Sequence, residues 1–208
     1  MSMSSNGSGR AALAETLLPE GLARALGAIL LVLAGTALIA IAAKIKVPFW
    51  PVPITLQTLA IMAIAAAYGS RLAVATVVAY LAEGALGLPV FTNTPPLAAG
   101  PAYFLGPTGG FLAGFVVIAL VVGLAADRGW SRSIPKLAGA MLVGEVIMMA
   151  LGFIWFAWFA TLSSGQVGPG MAFAWEWGVQ PFILGDLLKI ALAALAVPAV
   201  WTLFDRAR

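Results

Sequence analysis

Long apolar runs alternate along the chain with short segments that are rich in proline, glycine and charge. The apolar runs fall at about 22–43, 54–68, 71–88, 108–126, 136–160 and 181–204. A helix needs about 20 predominantly apolar residues to cross a bilayer. The pattern therefore predicts about six membrane-spanning helices, of which the second and third are short and are separated only around Gly69.

The composition supports a membrane protein rather than a soluble one. Of the 208 residues, 62% are hydrophobic and 9% are charged, whereas an ordinary soluble domain has roughly 25% charged residues. The segment 1–21 begins with a run rich in serine and glycine, and we expect it to be a disordered leader. We expect residues 22–208 to form a single all-α integral membrane domain with six transmembrane helices.

Basic residues are distributed unevenly between the two sides of the predicted bundle. If the amino terminus is cytoplasmic, the outer connections hold only Lys44 and Lys46. The inner segments then hold Arg10, Arg24, Arg71, Arg128, Arg132, Lys136, Arg206 and Arg208. Because positive charge accumulates on the cytoplasmic side, both termini are predicted to be cytoplasmic. The connections between helices 1 and 2, 3 and 4, and 5 and 6, at 44–54, 89–107 and 161–180, are then long extracellular loops.

Missing residue types exclude several kinds of chemistry. The chain has no cysteine and no histidine, which excludes disulfides, thiolate nucleophiles and imidazole bases and removes the usual zinc and haem ligands. The glycine-rich run 105–110 lacks the Gly-Lys-Ser/Thr ending of a phosphate-binding loop. An aspartyl protease needs a second carboxylate opposite Asp186, and Glu145 is the only candidate near that depth. We therefore expect no enzymatic activity, no metal and no cofactor.

Two ionisable residues, Asp186 and Lys189, lie inside the last apolar run. A charged side chain at membrane depth costs several kcal/mol unless a partner or a hydrated cavity compensates it. At spacing i and i+3 the two side chains project from one helix face. They lie roughly 8 and 12 Å below the outer end of a helix that starts near Pro181. The pair predicts a ligand pocket loaded from outside, and the alternative is a structural salt bridge between helices.

Neutral polar and aromatic residues accompany this pair on the predicted outer side. Thr55, Gln57 and Asn93 offer hydroxyl and amide groups, and an amide both donates and accepts hydrogen bonds, which suits a ligand amide or urea. Trp50, Phe91 and Tyr103 lie in the long outer loops. These aromatic residues form either a lid over a pocket or the ordinary aromatic belt at the membrane surface.

Glu145 is the main rival to the last-helix pair as a functional group. It lies about ten residues into the fifth predicted helix, near mid-membrane. It is interpreted either as a proton-linked carboxylate of a transporter or as a carboxyl group hydrogen-bonded within the bundle. The neighbouring Gly144 indicates close helix packing, and this favours the structural interpretation slightly.

Small residues form smooth faces on two predicted helices. Gly110 and Gly114 lie on one face of the fourth helix, and Thr36, Ala40 and Ala43 do so on the first. Such faces allow close approach of a neighbouring helix. They predict either internal packing or, for Thr36, Ala40 and Ala43, an interface with a partner helix.

Four ordered motifs resemble one family of membrane proteins. They are KVPFWPVPITLQT at 46–58, GALGLPVF at 84–91, GPTGGFLAGF at 106–115 and the Asp186-x-x-Lys189 pair. Together they resemble the BioY family, whose members are the biotin-specific substrate-binding (S) components of energy-coupling-factor (ECF) transporters in prokaryotic membranes. The resemblance extends over most of the chain after the leader. The segment 92–103 departs from the family in being longer and richer in proline.

The resemblance implies a multi-pass protein of the prokaryotic cytoplasmic membrane that binds biotin from outside with high affinity. It implies a transmembrane coupling subunit and cytoplasmic ATPase subunits, which bind the ATP, as partners; a homo-oligomer that works without them is the alternative. Matched by motif, Gln57, Asn93, Asp186 and Lys189 are the implied biotin contacts. Asp186 is expected to accept from a urea N–H, and Lys189 to meet either the urea oxygen or the valerate carboxylate.

Two other functions stay open on the residues alone. A self-sufficient secondary transporter of a small vitamin-like solute would couple transport to protons through Glu145 or Asp186. A receptor or scaffold would bind the ligand without moving it. The three functions are distinguished by uptake that depends on an ATPase module, by uptake that depends on the proton gradient, and by ligand that is retained at the surface and never internalised.

Overall fold

The computed structural model describes residues 22–94 and 96–206. The predicted leader at 1–21 lies outside the described residues. The described chain is mostly helical, with helices α1 (Leu22–Lys44), α2 (Gln57–Ala85), α3 (Gly109–Asp127), α4 (Ile134–Trp158), α5 (Met171–Gly178) and α6 (Ile183–Arg206). Two short strands, β1 (Lys46–Val47) and β2 (Ile54–Thr55), form an antiparallel pair in which Lys46 is opposite Thr55.

The helix bounds agree with the apolar runs to within about three residues. Among the described residues, five helical segments are long and apolar enough to cross a membrane: Ala23–Lys44, Gln57–Ala85, Gly109–Asp127, Ile134–Trp158 and Met171–Leu203. Helix α5 is a short helix within the connection 161–180, and the apolar pattern did not predict it. Its residues 171–178 are followed by the turn that leads into α6, so α5 helps to fix where α6 begins.

Helix α2 reverses direction at Gly69, whose φ of 77° and ψ of 173° are not helical. Gln57 Nε2 donates to the Tyr80 hydroxyl at 2.8 Å although the two residues are 23 positions apart. A continuous helix would separate them by about 35 Å. The arms 57–68 and 70–85 therefore run antiparallel, and glycine supplies the positive φ that the turn requires.

The turn at Gly69 is held against the end of α3. The Asp127 carboxylate accepts from the Ser70 backbone N–H at 3.2 Å and from the Ser70 hydroxyl at 2.5 Å. The bond to the backbone satisfies the free N–H of Ser70 at the start of the second arm, as an N-terminal cap does. A Cβ added to Gly123 would lie 2.5 Å from Ser70 Cα, so glycine is required there for close packing. These contacts bring α2 and α3 together at the end opposite the outer loops.

Glycines also set the distance between α3 and α4. A Cβ on Gly110 would lie 2.3 Å from Trp155 Cβ, and one on Gly114 would lie 2.4 Å from Met148 Cγ. This confirms the predicted smooth face as an internal packing face. The close approach brings the part of α4 that carries Met148 next to the centre of the bundle.

The small residues of α1 are used mainly inside the chain. Thr36 and Ala43 are buried, and Ala40 is half-buried. Large apolar side chains cover the opposite face of α1 and are exposed, namely Leu26, Ile29, Leu30, Leu33, Leu38 and Ile41. Because these small residues are already packed inside the chain, their burial does not favour the prediction that Thr36, Ala40 and Ala43 meet a partner helix. The exposed face has the character of a surface in contact with lipid.

Candidate functional site

A cavity of about 50 Å³ lies near the end of the bundle where α1 ends and α3 and α6 begin, between the two arms of α2, helices α3 and α6, and the segment that follows α2. Its polar lining residues are Thr55, Gln57, Thr58, Thr92, Thr108, Asp186 and Lys189. Its aromatic lining residues are Tyr80, Phe91, Tyr103, Phe111, Phe115 and Phe182. We call it the inner cavity. Six of the eight predicted ligand contacts line it, and they are Thr55, Gln57, Phe91, Tyr103, Asp186 and Lys189.

Asp186 and Lys189 form a buried ion pair within the first turns of α6. Lys189 Nζ donates to Asp186 Oδ1 at 2.8 Å and to the Thr58 hydroxyl at 3.2 Å. Asp186 and Lys189 are only 4% and 7% exposed. The first turn of a helix favours a carboxylate, which explains why Asp186 precedes Lys189. The second oxygen, Asp186 Oδ2, is buried without a hydrogen-bond partner and is available to a donor on a ligand.

Glu145 lies behind this pair, one turn along α4 from Met148, which lines the cavity. It is 4% exposed, and neither of its carboxyl oxygens has a hydrogen-bond partner. It interacts electrostatically with both Asp186 and Lys189. Asp186 and Lys189 thus line the polar end of the cavity, and the carboxyl group of Glu145 lies behind them. Its closeness to Asp186 leaves both interpretations of Glu145, the proton-linked carboxylate and the structural carboxyl group, as predictions.

Gln57 is held by residues that converge from both arms of α2 and from the following segment. Its Nε2 donates to the Tyr80 hydroxyl at 2.8 Å, and its Oε1 accepts from the Thr92 hydroxyl at 2.9 Å. The Tyr80 hydroxyl donates in turn to Val90 O at 3.2 Å. Thr55 Oγ1 accepts from the Gln57 backbone N–H at 3.2 Å. This network fixes the orientation of the amide at the cavity wall.

The segment 90–94, which we call the strap, is fastened by two lysines from the far end of α1 and from β1. Lys44 Nζ donates to Phe91 O at 2.6 Å and to Thr94 O at 2.5 Å. Lys46 Nζ donates to Thr92 O at 3.1 Å and to Asn93 Oδ1 at 2.8 Å. Hydrogen bonds from a charged donor are stronger than neutral ones. The lysines therefore hold Phe91 and Thr92 in the wall of the inner cavity.

Phe91 closes the inner cavity on its aromatic side. Its ring stacks on Tyr103 with centroids 4.6 Å apart and meets Tyr80 edge to face at 5.6 Å. Gly84 makes room for it, since an added Cβ would lie 2.1 Å from the Phe91 ring. Burial raises the pKa of the Tyr103 hydroxyl above its ordinary value, so this group stays a hydrogen-bond donor at neutral pH.

Asn93 and Trp50 lie in a second cavity, which we call the outer cavity. Its volume is about 550 Å³, and it also contacts Tyr103 and Thr108, which the two cavities share. Trp50 is 54% exposed and makes edge-to-face contacts with Phe173 and Trp177 of α5. Asn93 and Trp50 therefore lie outside the inner cavity, beyond the strap, rather than beside Asp186.

Several lining residues were not among the sequence-based candidates, namely Thr58, Tyr80, Thr92, Thr108, Phe111 and Phe182. Thr58 lies at the end of the quoted 46–58 motif, next to Gln57, and its position there was a usable signal. Tyr80 was another, since a tyrosine hydroxyl within a membrane helix needs a hydrogen-bond partner. The aromatic residues on α3 and before α6 gave no signal that separates them from ordinary core residues.

The fold and the site define a helical integral membrane protein with a small-molecule cavity near one rim. The chain belongs to the BioY family, whose family model matches residues 14–206. It is 35% identical over 166 residues to a protein named biotin transporter BioY of Thermotoga maritima, covering 80% of each chain. It is 30% identical over 165 residues to biotin transporter BioY2 of Lactococcus lactis, covering 79% of this chain and 85% of that one.

A solved structure has the same fold. It is the S-component for biotin from an ECF-type ABC transporter, with a TM-score of 0.71 and 24% sequence identity. The match covers 88% of this chain and 95% of the other. The predicted all-α membrane architecture is thereby confirmed. The names of the relatives describe transport rather than catalysis.

Proposed function

We propose that this chain binds biotin at the inner cavity and mediates its uptake as the substrate-specific subunit of an ECF-type transporter. The observation that carries the proposal is the buried group Asp186, Lys189 and Thr58 beside aromatic walls. Asp186 Oδ2 is an unused acceptor, and the urea of biotin offers N–H donors. Family membership over 14–206 supports the same ligand.

The charges at the polar end favour one orientation of biotin. Two carboxyl groups, Asp186 and Glu145, share that end with the single ammonium of Lys189. A ligand carboxylate there meets like charge in a buried environment. The urea group is neutral. Its N–H donates to Asp186, and its oxygen accepts from Lys189. The valerate carboxylate then points toward the strap and the outer cavity.

The volume of the inner cavity adds a requirement for movement. About 50 Å³ is well below the roughly 300–1,000 Å³ of small-molecule sites. Biotin therefore enters only when a wall moves outward. The strap is the candidate wall, because it is an irregular segment whose backbone is fastened by the side chains of Lys44 and Lys46.

In the membrane, the two arms of α2 make separate crossings, so the chain crosses six times and both termini lie on the same side. That side is the cytoplasm of a prokaryotic cell. The uneven distribution of basic residues supports this orientation. The expected partners are a transmembrane coupling subunit and cytoplasmic ATPase subunits. A homo-oligomer that works without them is the alternative arrangement.

The experiment is uptake of labelled biotin in cells that lack their own biotin transporters. Cells with this chain and a cognate coupling module are compared with cells that carry only one of the two. The proposal expects uptake to depend on this chain and to follow ATP rather than the proton gradient. Glu145 supports a second candidate, a proton-coupled transporter, because its carboxyl group is buried without a hydrogen bond. Uptake without a module that stops when the proton gradient collapses would establish that candidate.

A further inference from the structure

The outer cavity is built differently from the inner one. Its volume of about 550 Å³ falls within the range of roughly 300–1,000 Å³ that small-molecule sites have. Its polar side chains are Asn93, Thr108, Thr161 and Ser163, and no charged side chain is among its described lining residues. The outer cavity therefore suits neutral groups that both donate and accept hydrogen bonds.

The two cavities are neighbours along one path. Tyr103 and Thr108 line both of them. Asn93, in the outer cavity, follows Thr92, in the wall of the inner cavity. A ligand that extends outward from Asp186 past Tyr103 therefore arrives in the outer cavity.

The proposed biotin orientation, on which this inference rests, directs the valerate end along that path. The nearest cations, Lys44 and Lys46, donate to oxygens of the strap and are absent from the lining. Lys46 reaches this cavity only through its bond to Asn93 Oδ1 at 2.8 Å, so the described lining itself presents no cation to a free carboxylate. An amide at the same position can accept from Asn93 Nδ2, since Asn93 Oδ1 is already bonded to Lys46, and can donate to Thr161 or Ser163.

We propose that the outer cavity is a subsite for a group attached to the carboxyl end of biotin. The substrate class then includes biotin amides, such as the amide formed between biotin and the side chain of lysine. The bicyclic ring occupies the inner cavity in each case. The amide and the added chain occupy the space between Asn93 and Ser163.

The test compares biotin with biotinyl-lysine, by calorimetry on the purified full chain, in two matched variants. Ser163 and Ser164 are adjacent and exposed, but only Ser163 lines the outer cavity. Ser163→Trp fills the subsite, whereas Ser164→Trp adds the same bulk beside it. We expect the wild-type chain to bind biotinyl-lysine within about tenfold of biotin, since its amide can pair with the neutral polar groups of the outer cavity. Ser163→Trp should weaken biotinyl-lysine more than about tenfold and biotin less than about threefold, and Ser164→Trp should change neither.

The outcomes separate this subsite from the proposed function. If biotin binds and biotinyl-lysine does not, the subsite is refuted while the biotin site stands. If Ser163→Trp weakens both ligands equally, the ring itself lies in the outer cavity, and the subsite is likewise refuted. If biotin does not bind the wild-type chain, the proposed function fails and the subsite fails with it.

Discussion

Glu145 and Asp186 face each other as two buried carboxyl groups, and both retain unused hydrogen-bonding capacity. Both oxygens of Glu145 and one oxygen of Asp186 lack a partner, and the two groups interact electrostatically. Two adjacent buried carboxylates repel each other strongly unless they share a proton. Glu145 is therefore placed to orient Asp186 rather than to contact the ligand, because it does not line the cavity.

This relationship predicts different effects for two substitutions of Glu145. Glu145→Gln keeps a polar group of nearly the same shape beside Asp186, so biotin affinity should stay within about threefold of wild type. Glu145→Leu replaces that polar neighbour with an apolar side chain, and affinity should fall more than about tenfold. Titration calorimetry checks both, with the exposed Glu176→Gln as control. Equal behaviour of the Gln and Leu variants would contradict the positioning role.

Substitution of the ion pair should weaken binding directly. Asp186→Asn and Lys189→Met should each lower biotin affinity by more than about tenfold, or 1.4 kcal/mol. The physical reason is that each change removes one hydrogen-bonding partner of the urea and leaves the other charge unpaired. Size-exclusion profiles and melting curves are measured alongside affinity. The ligand role fails if both variants are folded and bind biotin as tightly as the wild-type chain does.

The strap predicts a kinetic effect. Lys46→Met removes the donor to Thr92 O and Asn93 Oδ1, so the strap should open more readily. We expect dissociation of biotin to accelerate by about tenfold, with a smaller change in association. Stopped-flow or surface-based kinetics measure the two rates. Lys136→Met, which changes an exposed lysine at the opposite end of the bundle, is the control. Unchanged dissociation in Lys46→Met would show that the strap does not control release.

Two helical glycines provide a test of the packing around Phe91. Gly84→Ala places a Cβ 2.1 Å from the Phe91 ring, and overpacking of this kind costs about 1–3 kcal/mol. Gly139→Ala meets nothing within 4 Å and should be neutral or stabilising by up to about 1 kcal/mol. Thermal unfolding in detergent compares the two variants. A Gly84→Ala protein as stable as Gly139→Ala would mean that Phe91 can leave its place at no cost.

Local patterns were sufficient to predict the long helices and the placement of Asp186 and Lys189 on one helix face, but not the short helix α5. The apolar run lengths gave the helix bounds, glycine and charge marked the turn at Gly69, and the spacing of Asp186 and Lys189 placed them on one face. Family motifs were needed to connect Gln57 with that pair. Each of these signals lies within a few residues of sequence, where helical geometry alone determines the neighbours.

Features that depend on distant contacts could not be predicted in this way. Lys46 reaches Asn93 across 47 positions, and Thr58 meets Lys189 across 131. Asn93 was expected among the biotin contacts, and its bond to Lys46 places it in the outer cavity rather than beside Asp186. No periodicity brings Glu145 next to Asp186, because this depends on how closely the glycines of α3 let α4 approach. Pairing between elements is determined by tertiary packing, which local propensity does not encode.

The most direct test of the central claim is calorimetric titration of biotin into the purified, detergent-solubilised chain, with other water-soluble vitamins as controls. The account predicts saturable binding of about one biotin per chain, a Kd below about 1 μM, and no detectable heat from the other vitamins. Asp186→Asn, assayed in parallel, should bind at least about tenfold more weakly. An absence of biotin binding to folded wild-type protein, or equal binding of an unrelated vitamin, would contradict the account.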